Sequence, residues 1–351
     1  MDIRELILTA RERRASDIHI TASRNPVFRI DGTLVETDFA MAWEDKYALI
    51  ISMLSDDQRE RLNAGEDVDM CYQLENGLRH RVNVFRQQRA LAAVIRIIND
   101  NTPTFEELAL PEVLRQLSDE PRGLILVTGP TGSGKSTTLA AMVDYINSTR
   151  PCHILTVEDP VEYVYKQKQA LIHQRDVGTD VGSFAAALRS AMREDPDVIL
   201  VGEMRDYETI SAAVTAAETG HLVLSTLHTT GAAMTIDRII DVFPPHNQQQ
   251  IRTQLASVLK GVITQTLVPR AEGKGRAAAF EIMIGTDAVL NLIRENKAHQ
   301  LNSTIQTGAK QGMVLLDTYL ADLVRKGVIK MESALEKVNN RVEFMSSVGR
   351  M

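Results

Sequence analysis

An uninterrupted apolar run, Gly123–Thr128, leads directly into the segment Gly129-Pro-Thr-Gly-Ser-Gly-Lys-Ser136. A run of this length fits a buried strand, and helical sequence follows Ser136. Strand, glycine loop and helix in this order, with G-x-x-x-x-G-K-[ST] across the loop, form the pattern of a phosphate-binding loop. This feature constrains the fold most strongly, because the loop must lie between a strand and a helix that hold it.

The glycines of this loop let successive backbone N–H groups point at phosphate oxygens, and the following helix adds its positive end. We expect Lys135 to reach the β and γ phosphates and Ser136 to place its hydroxyl on Mg²⁺. The predicted ATP-binding residues are Gly129, Pro130, Thr131, Gly132, Ser133, Gly134, Lys135, Ser136 and Thr137. A loop that holds phosphate without hydrolysing ATP is the alternative.

Strand and helix patterns alternate after the loop. Strands are predicted near Ile154–Val157, Val198–Val201 and Leu222–Thr226, with helical sequence between them. This alternation predicts a mainly parallel sheet covered by helices, an α/β core of the RecA-like type. A bundle of helices is predicted at the C-terminal end, over Thr286–Arg294, Ala298–Thr307 and Met313–Arg325.

The first hundred residues have the pattern of a smaller α+β unit, which begins with a helix at Asp2–Arg14 and continues with short strands and a helical pair. Asp31-Gly32 between apolar residues predicts a hairpin turn, and the order of elements favours a PAS-like sheet. The polar, proline-containing segment that begins at Asp100 predicts a hinge. We therefore divide the chain into a PAS-like domain (1–99), a hinge linker (100–111) and a RecA-like ATPase domain with the C-terminal bundle (112–351).

Acidic residues lie at the ends of two predicted strands. A strand parallel to the loop strand delivers Glu203 beside the γ-phosphate, so we predict that Glu203 is the general base or orients the attacking water. Glu158, Asp159 and Glu162 follow another strand and either position Mg²⁺ through water or orient the attacking water. The alternative for Glu203 is a solvated acid at the end of a strand, and the alternatives for the other three are a charged loop or a structural ion pair.

Two histidines flank the predicted strand Leu222–Thr226. His228, at the carboxyl end, lies where a sensor of the nucleotide state belongs. His221, at the other end, has the character of an ordinary hydrogen-bonded histidine.

Composition counts against several classes of protein. The chain has 46 acidic and 39 basic residues and a net charge of −7, whereas a surface that grips nucleic acid usually carries a basic excess. Cys71 and Cys152 offer neither a disulfide framework nor a zinc ribbon. No run of about 18 uncharged apolar residues occurs, and the start lacks the features of a signal peptide. We expect a cytoplasmic protein that binds no nucleic acid.

Four segments resemble those of the type IV pilus and type II secretion ATPases, and among these the PilT retraction ATPases. They are the phosphate-binding loop, the acidic segment Glu158–Glu162, the strand that ends at Glu203 and the segment with the two histidines. The wording of the family is also close at Ala15-Ser-Asp-Ile-His19, Ala191–Asp206, Ala217–Val223 and Ile236–Pro245, and the likeness covers almost the whole chain. The resemblance implies a homohexameric motor that hydrolyses ATP with Mg²⁺ to power pilus retraction and twitching motility. It also implies peripheral docking at the inner membrane on a pilus platform protein, indirect action on the pilin filament, and a paralogous retraction ATPase as a candidate partner.

At matching positions the resemblance implies that Glu203 is the catalytic acid, that Glu162 belongs to an acidic box, and that His221 and His228 form a histidine box. The stretch from Asn76 to Asn99 contains no acidic residue but several arginines. With the resemblance, this spacing predicts that Arg81 and Arg96 reach a neighbouring subunit's nucleotide and stabilise charge there. A solvated face of a sheet is the alternative.

One segment departs from the family pattern. Retraction ATPases typically have Ala-Ile-Arg-Asn-Leu-Ile-Arg-Glu near the C-terminus, whereas Leu290 stands here at the position of the first arginine. The apolar spacing survives, so we expect the helix to form. An accessory PilU-like ATPase or a pilus assembly or secretion ATPase therefore stays open, although the tetracysteine motif of assembly relatives is missing. A nucleic-acid translocase and a non-catalytic ring subunit are the remaining alternatives.

Overall fold

The computed structural model describes residues 2–30, 32–98 and 102–349. The chain divides into two compact units. One consists of the residues before Thr102 together with residues 162–164, and the other of the rest of the chain.

The first unit is built on a six-stranded antiparallel sheet of strand order β3-β2-β1-β6-β5-β4. Its strands are β1 (Ala15–Ile20), β2 (Val27–Ile30), β3 (Thr33–Glu36), β4 (Val68–Gln73), β5 (Arg79–Gln87) and β6 (Ala90–Ile97). Its helices are α1 (Ile3–Glu12), α2 (Trp43–Ser52) and α3 (Asp56–Asn63). One apolar core joins α1 to the inner face of the sheet, because Leu6 and Ile7 on the helix and Ile18 on β1 are all fully buried. The predicted α+β, PAS-like unit is confirmed, and the predicted turn residue Asp31 lies outside the described residues.

The second unit contains a seven-stranded sheet of order β13-β12-β7-β11-β10-β8-β9. Its strands are β7 (Gly123–Thr128), β8 (His153–Glu158), β9 (Leu171–Asp176), β10 (Val198–Val201), β11 (Leu222–Leu227), β12 (Leu259–Pro269) and β13 (Arg276–Ile284). Every neighbouring pair is parallel except β12 with β13. The predicted RecA-like α/β core with a mainly parallel sheet is therefore confirmed, with one antiparallel strand added at its edge.

Most of the parallel strands of this unit are separated by helices. Those before or between the strands are α4 (Val113–Ser118), α5 (Lys135–Thr149), α6 (Phe184–Ala191), α7 (Tyr207–Glu218), α8 (Ala232–Asp241) and α9 (Gln248–Val258). Those after the last strand are α10 (Asp287–Arg294), α11 (Leu301–Thr307), α12 (Leu316–Arg325), α13 (Met331–Leu335) and α14 (Arg341–Val348). No helix within the described ranges is long and apolar enough to cross a membrane.

Strands β7, β10 and β11 are buried along their whole length, as expected for parallel strands whose two faces are both covered. Since β7, β8, β10 and β11 run in the same direction, their carboxyl ends meet at one edge of the sheet. Ligands of open α/β sheets bind at this edge.

The C-terminal helices form where expected but do not make a single bundle. The residues Val289 and Ile293 of α10 and Leu301 of α11 belong to the main core around β10 and β11. Leu320 of α12 and Phe344 of α14 belong to a separate core over β12 and β13. An amphipathic helix needs an apolar surface that covers its apolar face. Strands β12 and β13, which were not predicted, provide this surface for α12 and α14.

The predicted linker 100–111 needs a similar correction. Its first two residues lie outside the described ranges, and residues 102–111 belong to the second unit. Phe105 is 4% exposed, and its ring centroid lies 5.5 Å from that of Tyr145 on α5. The guanidinium of Arg115 lies 4.5 Å from the centroid of the Phe105 ring. This segment is thus a packed part of the ATPase unit, because an apolar side chain anchors it.

Candidate active site

The phosphate-binding loop joins β7 to α5. Gly129 and Gly134 have φ angles of 136° and 88°, a region that other residues rarely adopt. The first turn of α5 begins at Lys135, whose Nζ donates to the carbonyl oxygens of Gly129 at 3.0 Å and Pro130 at 3.1 Å. The loop therefore folds around the buried ammonium group of Lys135, at the positive end of a fifteen-residue helix.

Strand β12 forms the floor under this loop. Thr138 Oγ1 on α5 donates to Gln265 Oε1 at 2.7 Å, and a Cβ atom added at Gly134 would lie 2.8 Å from Gln265 Nε2. Beside it, the hydroxyls of Thr264 and Thr128 are 2.8 Å apart. Gln265 was not predicted as a site residue, although a polar residue inside the apolar run Gly261–Val268 indicates that the run contacts something polar.

Glu203 follows β10 and is brought together with His228, which follows the neighbouring strand β11. Glu203 Oε2 lies 3.5 Å from His228 Nε2 and 2.7 Å from Arg205 Nε. The Glu203 side chain is 18% exposed, whereas His228 is 44% exposed, so the carboxylate is sheltered while the imidazole faces solvent. Arg205, also missed from the sequence, orients the carboxylate from the loop that follows Glu203.

The acidic residues after β8 are separated by the fold. Glu158 is buried at the strand end, where its Oε1 accepts a hydrogen bond of 2.7 Å from Thr156 Oγ1. Asp159 is exposed. Glu162 is exposed as well and falls in the short segment that groups with the first unit.

His221 does not join His228. It lies at the amino end of β11, about 20 Å from the carboxyl end for a strand of this length. Its Nδ1 lies 2.8 Å from the carbonyl oxygen of Ala216 and 3.2 Å from Thr219 Oγ1 at the end of α7. A parallel strand sends its two ends to opposite edges of the sheet, so the two histidines do not meet within one chain, and their common role as a histidine box stays a prediction.

Arg81 and Arg96 face each other across β5 and β6 of the first unit. Arg81 Nη2 lies 2.8 Å from Asp69 Oδ2, and Arg96 Nε lies 3.0 Å from Asp17 Oδ1. The Arg96 side chain is 65% exposed despite this contact. Both arginines are therefore oriented by carboxylates of their own unit while their outer atoms reach solvent.

The loop residues fit a nucleoside triphosphate with Mg²⁺. Ser133 Oγ is buried and has no hydrogen-bond partner among the described residues, and Ser133 lies between Gly132 and Gly134 of the loop. Ser136 and Thr137 in the first turn of α5 are partly exposed. Within the described ranges no three His, Cys, Asp or Glu side chains group to hold a metal ion.

Comparisons with known proteins agree with this arrangement. A family model described as Type II/IV secretion system protein matches residues 1–345. The type IV pilus retraction ATPase PilT of Pseudomonas aeruginosa is 51% identical over 338 residues, which cover 96% of this chain and 98% of that protein. A twitching motility protein of Neisseria gonorrhoeae is 50% identical over 90% of this chain and 84% of that protein.

More distant and structural relatives extend the likeness. The type IV pilus ATPase PilU of Pseudomonas aeruginosa is 36% identical over 99% of this chain and 92% of that protein. The crystal structure of the pilus retraction motor PilT with bound ADP superposes with a TM-score of 0.92, at 46% identity and with 98% of each chain covered. The chain therefore belongs to the type II/IV secretion system protein family and, within it, to the PilT family of ATPases.

Proposed function

We propose that this chain is an ATP-hydrolysing motor that powers type IV pilus retraction. The observation that carries the proposal is that the phosphate-binding loop, His228 and Glu203 follow three adjacent parallel strands, β7, β11 and β10, at one edge of the sheet. A loop that holds phosphates and a carboxylate that reaches water are the parts that ATP hydrolysis needs. The assignment to the pilus rests on the 51% identity to the type IV pilus retraction ATPase of Pseudomonas aeruginosa.

In this proposal the loop amides and Lys135 hold the β and γ phosphates, and Glu203 orients the water that attacks the γ-phosphate. Arg205, 2.7 Å from Glu203 Oε2, fixes the carboxylate, and His228, 3.5 Å from the same oxygen, senses whether the γ-phosphate is present. Bound Mg²⁺ would neutralise charge on the phosphates, with Ser136 as its hydroxyl ligand.

Other residues have supporting roles in the proposed hydrolysis. Glu158, held by Thr156, orients water close to the phosphates, with Asp159 and Glu162 farther along the same acidic segment. Arg81 and Arg96 stabilise the developing charge on the nucleotide of a neighbouring subunit. Their exposed guanidinium groups, each already oriented by an aspartate, support this part.

The proposed assembly is a homohexamer at the cytoplasmic face of the inner membrane. There it would dock on the pilus platform protein and act through it on the pilin filament, beside a paralogous retraction ATPase. Membership of the PilT family supports the assembly, and the existence of PilU as a relative supports the paralogue.

The test is ATP binding and turnover of the purified chain with two variants. Lys135→Ala should lose ATP binding, whereas Glu203→Gln should bind ATP but lose at least about 100-fold in kcat. His221→Ala, at the opposite edge of the sheet, is the control and should keep full turnover. Wild-type turnover no higher than that of Glu203→Gln would instead support a non-catalytic ring subunit.

An accessory, PilU-like role is the second candidate, because Leu290 replaces the arginine of the family motif. Helix α10 nevertheless forms, and Leu290 packs against the main core. The higher identity to PilT than to PilU, 51% against 36%, favours the principal retraction motor. Deleting the gene should leave surplus surface pili without twitching, whereas loss of pili would identify an assembly ATPase and unchanged motility an accessory one.

A further inference from the structure

The segment that carries Glu203 is held on both sides by one residue of the neighbouring strand. Thr226 Oγ1 donates a hydrogen bond of 2.6 Å to the carbonyl oxygen of Gly202, the residue before Glu203. The carbonyl oxygen of Thr226 accepts a hydrogen bond of 3.0 Å from the backbone nitrogen of Met204, the residue after Glu203. The backbone around Glu203 is therefore attached to β11 through a single threonine, which is 5% exposed.

The hydroxyl of Thr226 extends the contact between β10 and β11 beyond their regular pairing. The last paired residues are Val201 and Ser225, and β10 ends at Val201. At the next position the Thr226 hydroxyl takes the place of a backbone donor and reaches Gly202. A β-branched side chain has few χ1 rotamers, so this hydroxyl stays directed at its acceptor.

Strand β8 encloses the same segment from the other side. The backbone nitrogen of Gly202 donates a hydrogen bond of 2.8 Å to the carbonyl oxygen of Val157. A Cβ atom added at Gly202 would lie 3.3 Å from Glu158 Cα and 3.4 Å from the Val157 oxygen. Gly202 is thus packed between β8 and Thr226. The Thr226 hydroxyl is a side-chain contact, so a substitution can remove it and leave the backbone hydrogen bonds in place.

The same threonine connects Glu203 with His228. His228 comes two positions after Thr226, just beyond the end of β11. Glu203 Oε2 lies 3.5 Å from His228 Nε2. Loss of the Thr226 hydroxyl would release the Glu203 side of this pair, whereas the His228 side would stay on its strand.

We propose that Thr226 is a positioning residue that holds the carboxylate of Glu203 in place for hydrolysis. The inference rests on the proposed role of Glu203, which is to orient the water that attacks the γ-phosphate. Thr226 acts through Glu203 and not on the nucleotide. A small displacement of a group that orients a reactant is enough to slow a reaction strongly.

The test begins with Thr226→Val, which removes the hydroxyl but keeps the branched shape and the backbone acceptor for Met204. In this variant kcat should fall about 10- to 100-fold, because the carboxylate is no longer held in place. The Kd for ATP with Mg²⁺ should stay close to the wild-type value, since the phosphate-binding loop is unchanged. Thr226→Ser restores the donor and should recover most of the lost kcat. Normal kcat in Thr226→Val would overturn the inference.

Ser225→Ala is the matched control. Ser225 Oγ donates a hydrogen bond of 2.8 Å to the carbonyl oxygen of Val201, so this variant removes the same kind of bond between the same two strands one residue earlier. It should lower the thermal stability but keep the wild-type kcat. Equal losses of kcat in Ser225→Ala and Thr226→Val would reflect a general weakening of the strand pair and would overturn the inference.

A double variant shows whether Thr226 acts through Glu203. Glu203→Gln removes the carboxylate that Thr226 positions, so adding Thr226→Val to it should lower the residual kcat by less than about twofold. A further loss as large as that in the wild-type background would mean that Thr226 acts by another route, which contradicts the inference.

Amide hydrogen exchange at Met204 tests the attachment without any turnover. Exchange should be faster in Thr226→Val than in the wild type, because the segment opens more easily, and it should be unchanged in Ser225→Ala. Unchanged exchange in Thr226→Val would refute the attachment itself. Wild-type turnover no higher than that of Glu203→Gln would instead refute the proposed function and, with it, the catalytic part of the inference.

Discussion

Thr138 donates a hydrogen bond of 2.7 Å to Gln265 across 127 positions of the sequence. Both side chains are buried, so Gln265→Leu leaves the Thr138 hydroxyl without its partner, at a cost of about 1–3 kcal/mol in the free energy of unfolding. The same change removes the amide beside Gly134 and should raise KM for ATP. Urea denaturation and steady-state kinetics measure the two effects.

Thr138→Val provides the matched partner for a double-mutant cycle. Once one side of the hydrogen bond is gone, removing the other should cost little, so the double variant should lose less stability than the sum of the single variants. Strictly additive losses would mean that the two residues act independently.

His228→Ala should reduce kcat by about tenfold or more while ATP binding stays measurable, because the imidazole lies 3.5 Å from Glu203 Oε2. His221→Ala should leave kcat unchanged, since His221 contacts the end of α7 at the other edge of the sheet. Its effect should be a modest loss of stability. Equal losses of turnover in both variants would mean that the histidines act together after all, through contacts between subunits.

Arg96→Ala and Arg81→Ala should each change the free energy of unfolding by less than about 1 kcal/mol, because exposed ion pairs contribute little. Turnover should nevertheless fall, with ATP binding retained, if these guanidinium groups act on a neighbouring subunit's nucleotide. Thermal denaturation and ATPase assays on the same preparations separate the two effects. Unchanged turnover would remove the arginine concerned from the site.

Glu281, on β13, is 5% exposed and should give the protein a specific dependence of stability on pH. Burial raises its pKa, so the folded state binds this proton more tightly than the unfolded chain does. The resulting stability is fully present below the unfolded pKa of about 4.3 and is lost as pH rises through the folded pKa. The free energy of unfolding of the wild type minus that of Glu281→Gln should therefore fall from acidic pH towards neutral pH and then stay level.

Chemical denaturation of both proteins across a pH series measures this difference. Above the folded pKa the curves should run parallel, since glutamine does not titrate. A difference that increased with pH would mean that the hydrogen bond from the backbone nitrogen of Ala232 to Glu281 Oε1 lowers the pKa more than burial raises it.

The sequence was sufficient to predict the parallel strands that end at the candidate site. Strands β7 and β10 were predicted with the bounds that the structure has, because a strand buried on both faces is a short apolar run bounded by turn residues. Glu203 and His228 could be placed at one edge for the same reason, since strand direction determines which end carries which side chain.

Features that depend on contacts between residues distant in the sequence could not be predicted from it. Strand β12 carries Thr264 and Gln265 in its buried stretch, and what these polar groups contact is decided by β7 and α5. The orientation of Arg205 depends on loop geometry, and the choice of core for each C-terminal helix depends on β12–β13. A pattern of apolar residues identifies a face that must be covered but not the element that covers it.

Phe105 anchors the start of the second unit on helix α5, whose first residue is Lys135 of the phosphate-binding loop. The Phe105 ring lies 5.5 Å from that of Tyr145, near the carboxyl end of this helix. If the proposed binding of nucleotide shifts α5, residues 102–111 must shift with it or lose the contact between the two rings.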